Sequence, residues 1–311
     1  MSHLISARRC LRIATAAGIL LPSFAAVAQE DHSQWTQPIL RVAHEEPAAQ
    51  VASRIVPASQ PPGEPFNLEK QNPGEHPLMP ALRVAKSSLA TIDQNIRDYT
   101  AIMYKQERID GELMPQEVAY VKVRHQPFSC YLFFLAPSKG RECLYVDAPA
   151  PRGTDGDLLA RDCGFRRKLG VFELNPEGRL AMKGQKYPIT KLGVKALTEE
   201  LVTVASNDVQ YGECEVRHMQ TELGPKTGPK RPVTLLEVTH PIKRTNFRFH
   251  KARVYIDNEL RIPIRYEAYL WPERPGEAPP LEETYTYMNM KVNNGFTDAD
   301  FSRDNPEYFK D

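Results

Sequence analysis

The sequence predicts an α+β fold, an antiparallel sheet accompanied by two helices. Two observations lead there. Strand-length segments with period-two alternation follow one another between residues 99 and 292, separated by short turn-rich gaps. Two stretches, residues 80–99 and 191–206, instead place apolar residues three and four apart, the spacing of one helical face. Helices interspersed among consecutively paired strands define the α+β class.

The N-terminus reads as an export signal. Arg8, Arg9 and Arg12 form a basic opening, an apolar run extends to Phe24, and Ala26-Val27-Ala28 forms a small-residue cleavage box. Residues 1–28 are thus a signal peptide, and the mature chain is expected to start at Gln29. The apolar run falls short of the roughly 20 residues needed to span a bilayer. The mature protein is expected to be soluble in the periplasm or cell envelope. Residues 29–79 carry much of the chain's proline, from Pro38 to Pro77, among small and polar residues, and read as a disordered tether. One domain is expected over residues 80–311, long enough to bury a good core.

That domain should open with a helix. Pro80 suits a first helical turn, and Leu82, Ala85, Leu89, Ile92, Ile96 and Tyr99 then form an apolar stripe. The strands expected next cover residues 99–109 and 116–124, joined at Asp110-Gly111, a strong hairpin signal. Residues 129–135 and 142–146 form another hairpin around residues 137–140. The second helix, residues 191–206, has Val194, Leu197, Leu201 and Val204 as its stripe and Thr190 as candidate cap. Strands over 214–221, 234–239, 247–256, 261–270 and 283–292 complete the sheet. Residues 261–270 alternate cleanly, with one face wet.

The mature chain keeps Cys130, Cys143, Cys163 and Cys214, and an exported protein can oxidise them. Four cysteines permit three full pairings, which stay open. The 137–140 turn sets Cys143 opposite Phe134 and Cys130 opposite Asp147, leaving the two sulfurs ~13 Å apart along the strand, too far for a disulfide.

A net charge of +1 gives no global attraction to nucleic acid, which is not expected as a partner. No nucleophile elbow, phosphate loop, dinucleotide fingerprint or metal-ligand spacing is present, so neither catalysis nor a cofactor is expected. Lys243, Arg244, Arg248, Lys251 and Arg253 lie in an acid-free stretch interleaved with Phe247 and Phe249. They are a candidate anion-binding patch for head groups or an anionic membrane surface; the ordinary alternative is a solvated face paired with acids on a neighbouring strand. Arg161, Arg166, Arg167 and Lys168 surround Cys163 and would raise its reactivity, although a structural thiol is the commoner outcome. Asp298, Asp300 and Asp304 read as turns and caps rather than a cation site.

A resemblance adds to this reading. The chain carries Arg-Gly-Thr-Asp-Gly-Asp-Leu-Leu-Ala at 152–160, Leu-Asn-Pro-Glu-Gly-Arg-Leu-Ala-Met at 174–182 and Tyr-Pro-Ile-Thr-Lys-Leu-Gly at 187–193. Later come Tyr255-Ile256-Asp257, Pro263 with Arg265-Tyr266-Glu267, Glu283 with Tyr285-Thr286-Tyr287, and a Gly295-Phe296-Thr297-Asp298 ending. Across most of residues 82–311 this resembles a family of exported bacterial domains of unknown function. The layout is also similar, more distantly, to the periplasmic lipoprotein-carrier (LolA/LppX-like) fold. That resemblance implies a curved half-barrel, with helices over its concave face and room for acyl chains. It makes a non-enzymatic envelope protein holding a lipid or lipoprotein acyl chain the leading expectation. Leu82, Leu89, Ile92, Ile96, Tyr266 and Tyr285 are its candidate pocket. The alternatives are an interaction module working through the basic strand and, further off, an unrecognised hydrolase.

Overall fold

The computed structural model describes residues 66–274 and 276–310. The expected signal peptide and most of the expected tether lie outside the described residues. Helix α1 covers Met79–Asn95, with Pro80 in its first turn as the sequence predicts. It ends earlier than the stripe suggested: Ile96 is already extended, and Asp98 pairs with Arg124 as β1 begins. Tyr99 continues the helical spacing in sequence but belongs to the sheet, whose pairing overrides local periodicity.

The strands are β1 (Asp98–Ile109), β2 (Glu112–Leu113), β3 (Glu117–Arg124), β4 (Ser129–Ala136), β5 (Glu142–Val146), β6 (Leu158–Arg161) and β7 (Phe172–Leu174). After helix α2 (Val194–Asp208) come β8 (Glu215–Leu223), β9 (Arg231–Thr239), β10 (Lys251–Asp257), β11 (Pro263–Tyr269) and β12 (Leu281–Val292). Asp110 and Gly111 both adopt positive φ, 50° and 84°, the conformation for which Asp-Gly is chosen in tight hairpins. The expected 247–256 strand starts only at Lys251; Phe247 and Phe249 precede it as buried core residues.

All pairings are antiparallel, in one open 12-stranded sheet of order β7-β6-β5-β4-β3-β1-β12-β11-β10-β9-β8, with β2 pairing β1. One meander runs from β1 outward to the β7 edge. A second returns from the β8 edge to the centre, where β12 pairs with β1, Lys105 facing Tyr285 and Glu107 facing Glu283. The chain must therefore travel from one edge of the sheet to the other between β7 and β8. That connection, including α2, supplies most of the cover over one sheet face.

Among the described residues the core divides into three clusters. The first joins Ile92 of α1, and Ile96 just past its end, to Met103, Val121, Leu132 and Tyr287. The second gathers Leu236, Val238, Ala252, Val254 and Ile256 with Leu78 and Ala81. Phe66 and Leu68, inside the expected tether, are buried in this second cluster, and the Arg261 guanidinium stacks on Phe66 at 3.5 Å. Packed structure thus begins at least as early as Phe66, ahead of the expected boundary at residue 80. The third cluster lies on the opposite sheet face, where Tyr308 stacks on Tyr131 with ring centroids 3.7 Å apart.

Cys143 pairs with Leu132 and Cys130 with Tyr145, two residues away from the expected register. The turn is longer than the four residues assigned to it, and Arg141 is recruited: Phe134 N–H donates to Arg141 O at 2.9 Å. All four cysteines of the described residues are free.

Candidate functional site

Between the central sheet and its cover lies a cavity of about 1410 Å³. Its floor comes from alternate residues of β1, β4–β6 and β9–β12, which a sheet's period of two presents on one face. Its roof comes from residues 174–193, from the inner face of α2 and from the start of α1. Leu197, Leu201 and Val204, the predicted stripe of α2, are only half-buried although they point inward. They pack against the edges of the core and leave part of their surface to the open space of the cavity.

The start of α2 is anchored to the sheet without any side-chain cap of its own. Its N-cap residue is Gly193, not Thr190. Gly193 N–H donates to Tyr287 Oη and Val194 N–H to Tyr99 Oη, each at 3.1 Å. Two buried tyrosines thereby take donors that a helix N-terminus leaves unpaired.

Charged groups concentrate at the middle of the floor. Lys105 lies 2.8 Å from Glu117 and 3.6 Å from Glu107. Lys186, from the roof, lies 2.6 Å from Glu282 and 2.8 Å from Glu283. Lys186 N–H donates to Glu107 at 3.0 Å, Tyr187 Oη donates to Glu283 at 3.2 Å, and Tyr285 Oη donates to Glu107. Burial pushes the Glu283 carboxyl above the ordinary carboxylate range, even with Lys186 beside it. Burial raises the hydroxyls of Tyr285, Tyr187 and Tyr266 as well.

Of the expected pocket residues, Tyr266 and Tyr285 line the cavity. Leu82, Ile92 and Ile96 are buried away from it, and half-buried Leu89 is also outside the lining. Helix α1 contributes Leu78, Ala81 and Ala85 instead. The reason is geometric: α1 turns most of its stripe onto the sheet, and only its first turns overhang the open space.

The expected anion patch is largely neutralised. Arg244 pairs with Glu213 and Arg248 with Glu200. Lys251 and Arg253 share Glu237, and Arg253 also reaches Glu267 at 4.0 Å. Lys243 is exposed. The acids come from α2, β9 and β11 and from the approach to β8, so the ordinary alternative, a face paired with neighbouring acids, describes this stretch. Around Cys163 the cations are likewise engaged: Arg166 with Asp162 and Arg167 with Glu142. Asp298 pairs with Arg124 and Arg152, and Asp300 closes a capping box with Thr297.

The central charged cluster escaped the sequence reading. Its signal was present: Lys105 and Glu107 occupy the same parity as inward-facing Met103, and Glu283 shares parity with Tyr285 and Tyr287. Charges on the core side of a strand mark a site or an ion pair. The roof segment was equally visible, because residues 174–193 carry two of the motifs behind the family resemblance.

Around the mouth, Phe165, Leu169, Phe172 and Leu180 are exposed, and the last three also line the cavity. Among the described residues no helix is long and apolar enough to cross a membrane.

Residues 96–309 match the model of a family described as protein of unknown function (DUF1571). No curated protein matches the sequence. Similar solved structures include the lipoprotein LppX of Mycobacterium tuberculosis, 13% identical, with 68% of this chain and 96% of that chain covered and a TM-score of 0.37. A LolA superfamily protein from Nitrosomonas europaea is 14% identical, covering 71% and 98%, with a TM-score of 0.28. A DUF1329 family protein from Desulfovibrio piger is 14% identical, covering 73% and 98%, with a TM-score of 0.32.

Proposed function

We propose, for a chain that belongs to the DUF1571 family of proteins of unknown function, a role in lipid binding: an exported, non-enzymatic envelope protein that holds an acyl-chain ligand between its sheet and its helical roof. One observation carries this reading, the mainly apolar cavity of about 1410 Å³. Pockets for drug-sized molecules run to about 1,000 Å³, so the space suits a larger and more extended ligand. Acyl chains suit its walls, because each buried methylene contributes about 0.8 kcal/mol. A dozen methylenes supply roughly 10 kcal/mol gross; association costs of at least about 4 kcal/mol leave about 6, a dissociation constant of ~0.1 mM that a longer chain tightens. The ionisable side chains at the floor are tied to one another in ion pairs, which offsets the cost of burying them beside an apolar space. The interaction-module alternative loses its main support, since four of its five basic residues already hold acids of this same chain.

Two measurements test the reading. Protein isolated gently from its own envelope should carry lipid by native mass spectrometry, and purified protein should bind a fluorescent monoacylglycerol analogue. The absence of both retained lipid and probe binding would overturn it. Export rests on residues 1–28, and N-terminal sequencing of the mature protein should begin at Gln29.

A further inference from the structure

The cavity's apolar lining draws on two parts of the core. It belongs to two separate core clusters that meet the same space. One arm has Leu132, Phe134 and Leu158 as its floor and Ala181, Ile189 and Leu192 as its roof. The other has Leu236, Val254 and Ile256 as its floor and Leu201, Val204 and Ala205 as its roof. In the sheet order these floors lie on opposite sides of the β1–β12 pair. From β4 to β9 is six strand spacings, roughly 29 Å at about 4.8 Å each.

The middle is different. Cross-strand pairs on β1 and β12 run from Met103–Tyr287 to Lys105–Tyr285 to Glu107–Glu283, so polarity rises steadily along the centre of the floor. All six residues line the cavity, and Lys186 closes over them from the roof. Of the ion-paired groups that line this middle, two are cations, Lys105 and Lys186, and three are carboxylates, Glu107, Glu282 and Glu283. This balance disfavours an anionic group and offers hydrogen bonds to a neutral one.

We propose that the ligand is a two-chain amphiphile of the diacylglycerol type, one acyl chain in each arm and the uncharged linkage over Lys105, Tyr285 and Glu283. The inference rests on the lipid-binding reading and adds the number of chains and the charge of the linkage. A single-chain lipid fills one arm only, so two copies fit where one two-chain lipid does. An ionised phosphate at the linkage meets the carboxylate excess and binds more weakly.

The test counts bound lipid by native mass spectrometry on the mature protein, with monoolein, dioleoylglycerol and dioleoylphosphatidic acid as probes. The expected result at saturation is two monooleins, one dioleoylglycerol, and at least tenfold weaker binding of the phosphatidic acid. Ala181→Trp and Ala205→Trp, each filling one arm from its half-buried roof, should each reduce monoolein to one copy and weaken dioleoylglycerol at least tenfold. Should either variant fold poorly by its thermal midpoint, the wild-type stoichiometries decide alone. A single monoolein at saturation, or phosphatidic acid bound as tightly as dioleoylglycerol, overturns the two-chain proposal and leaves lipid binding standing. If none of the three lipids binds, the lipid-binding reading itself fails and takes this inference with it.

Discussion

The Tyr287 hydroxyl accepts a hydrogen bond from the backbone N–H of Gly193 at 3.1 Å, joining a central strand of the sheet to the N-cap residue of the roof helix. Gly193 has φ 107°, and a Cβ there would lie 2.7 Å from Tyr99 Oη. Both the conformation and the space therefore require glycine. Gly193→Ala is expected to destabilise by at least the ~1–3 kcal/mol of a strained backbone position. Tyr287→Phe, which leaves the Gly193 N–H buried and unpaired, should cost about 1–3 kcal/mol. Urea unfolding midpoints check both; unchanged midpoints would show that the roof is held by something else.

Ile92 and Leu201 separate core from cavity. Ile92 is fully buried beneath α1, and its truncation to Ala should cost about 2–5 kcal/mol with little effect on lipid affinity in the folded fraction. Leu201 is half-buried over the cavity. Leu201→Ala should destabilise by less than Ile92→Ala yet weaken binding of the monoacylglycerol probe several-fold. The reverse pattern would place the ligand beneath α1 instead.

Cys143 lines the first arm of the cavity, and burial pushes its thiol up to about 12. At neutral pH the reactive thiolate is therefore scarce. Alkylation by a small maleimide should be slow at pH 7, faster at pH 9, and slower again when dioleoylglycerol is bound. Mass mapping of modified peptides reads all three rates. Labelling at Cys143 that ignores the lipid contradicts occupancy of that arm.

The raised Glu283 carboxyl makes a pH prediction with a definite sign. Its folded-state pKa lies above that of the unfolded chain because burial disfavours the ionised form, so the folded protein holds this proton more firmly. Stability from this group is present below the ordinary carboxylate value and declines as pH rises through the folded value. Lys186, Tyr187 and Glu107 face the same carboxyl. Glu283→Gln removes the titration, so its stability relative to wild type should improve as pH climbs from about 4.5. Urea midpoints across that range check it; a difference independent of pH refutes the raised value.

Much of the architecture was legible in the chain. Period-two alternation located nearly all the longer strands, and the three-and-four spacing located both helices, because these periods are properties of the backbone itself. The short β6 and β7 escaped, since three or four residues hold too little periodicity to stand out. The site was harder. Tyr266 and Tyr285, named from the sequence, line the cavity because aromatic residues on an alternating strand point to one face. Leu82, Ile92 and Ile96 were assigned to the pocket because an apolar side chain looks the same in sequence whether it meets protein or ligand.

By itself, then, the sequence determined the class, the order of the elements, and most of the apolar residues of the domain that avoid water. Tertiary structure decided which of those apolar residues touch each other and which face open space, because that depends on how closely α1 and the β7–β8 connection approach the sheet. It also decided the fate of the charges. Arg248 finds Glu200 and Lys186 finds Glu283 only after distant segments meet, and a Coulomb interaction depends on distance in space, not along the chain.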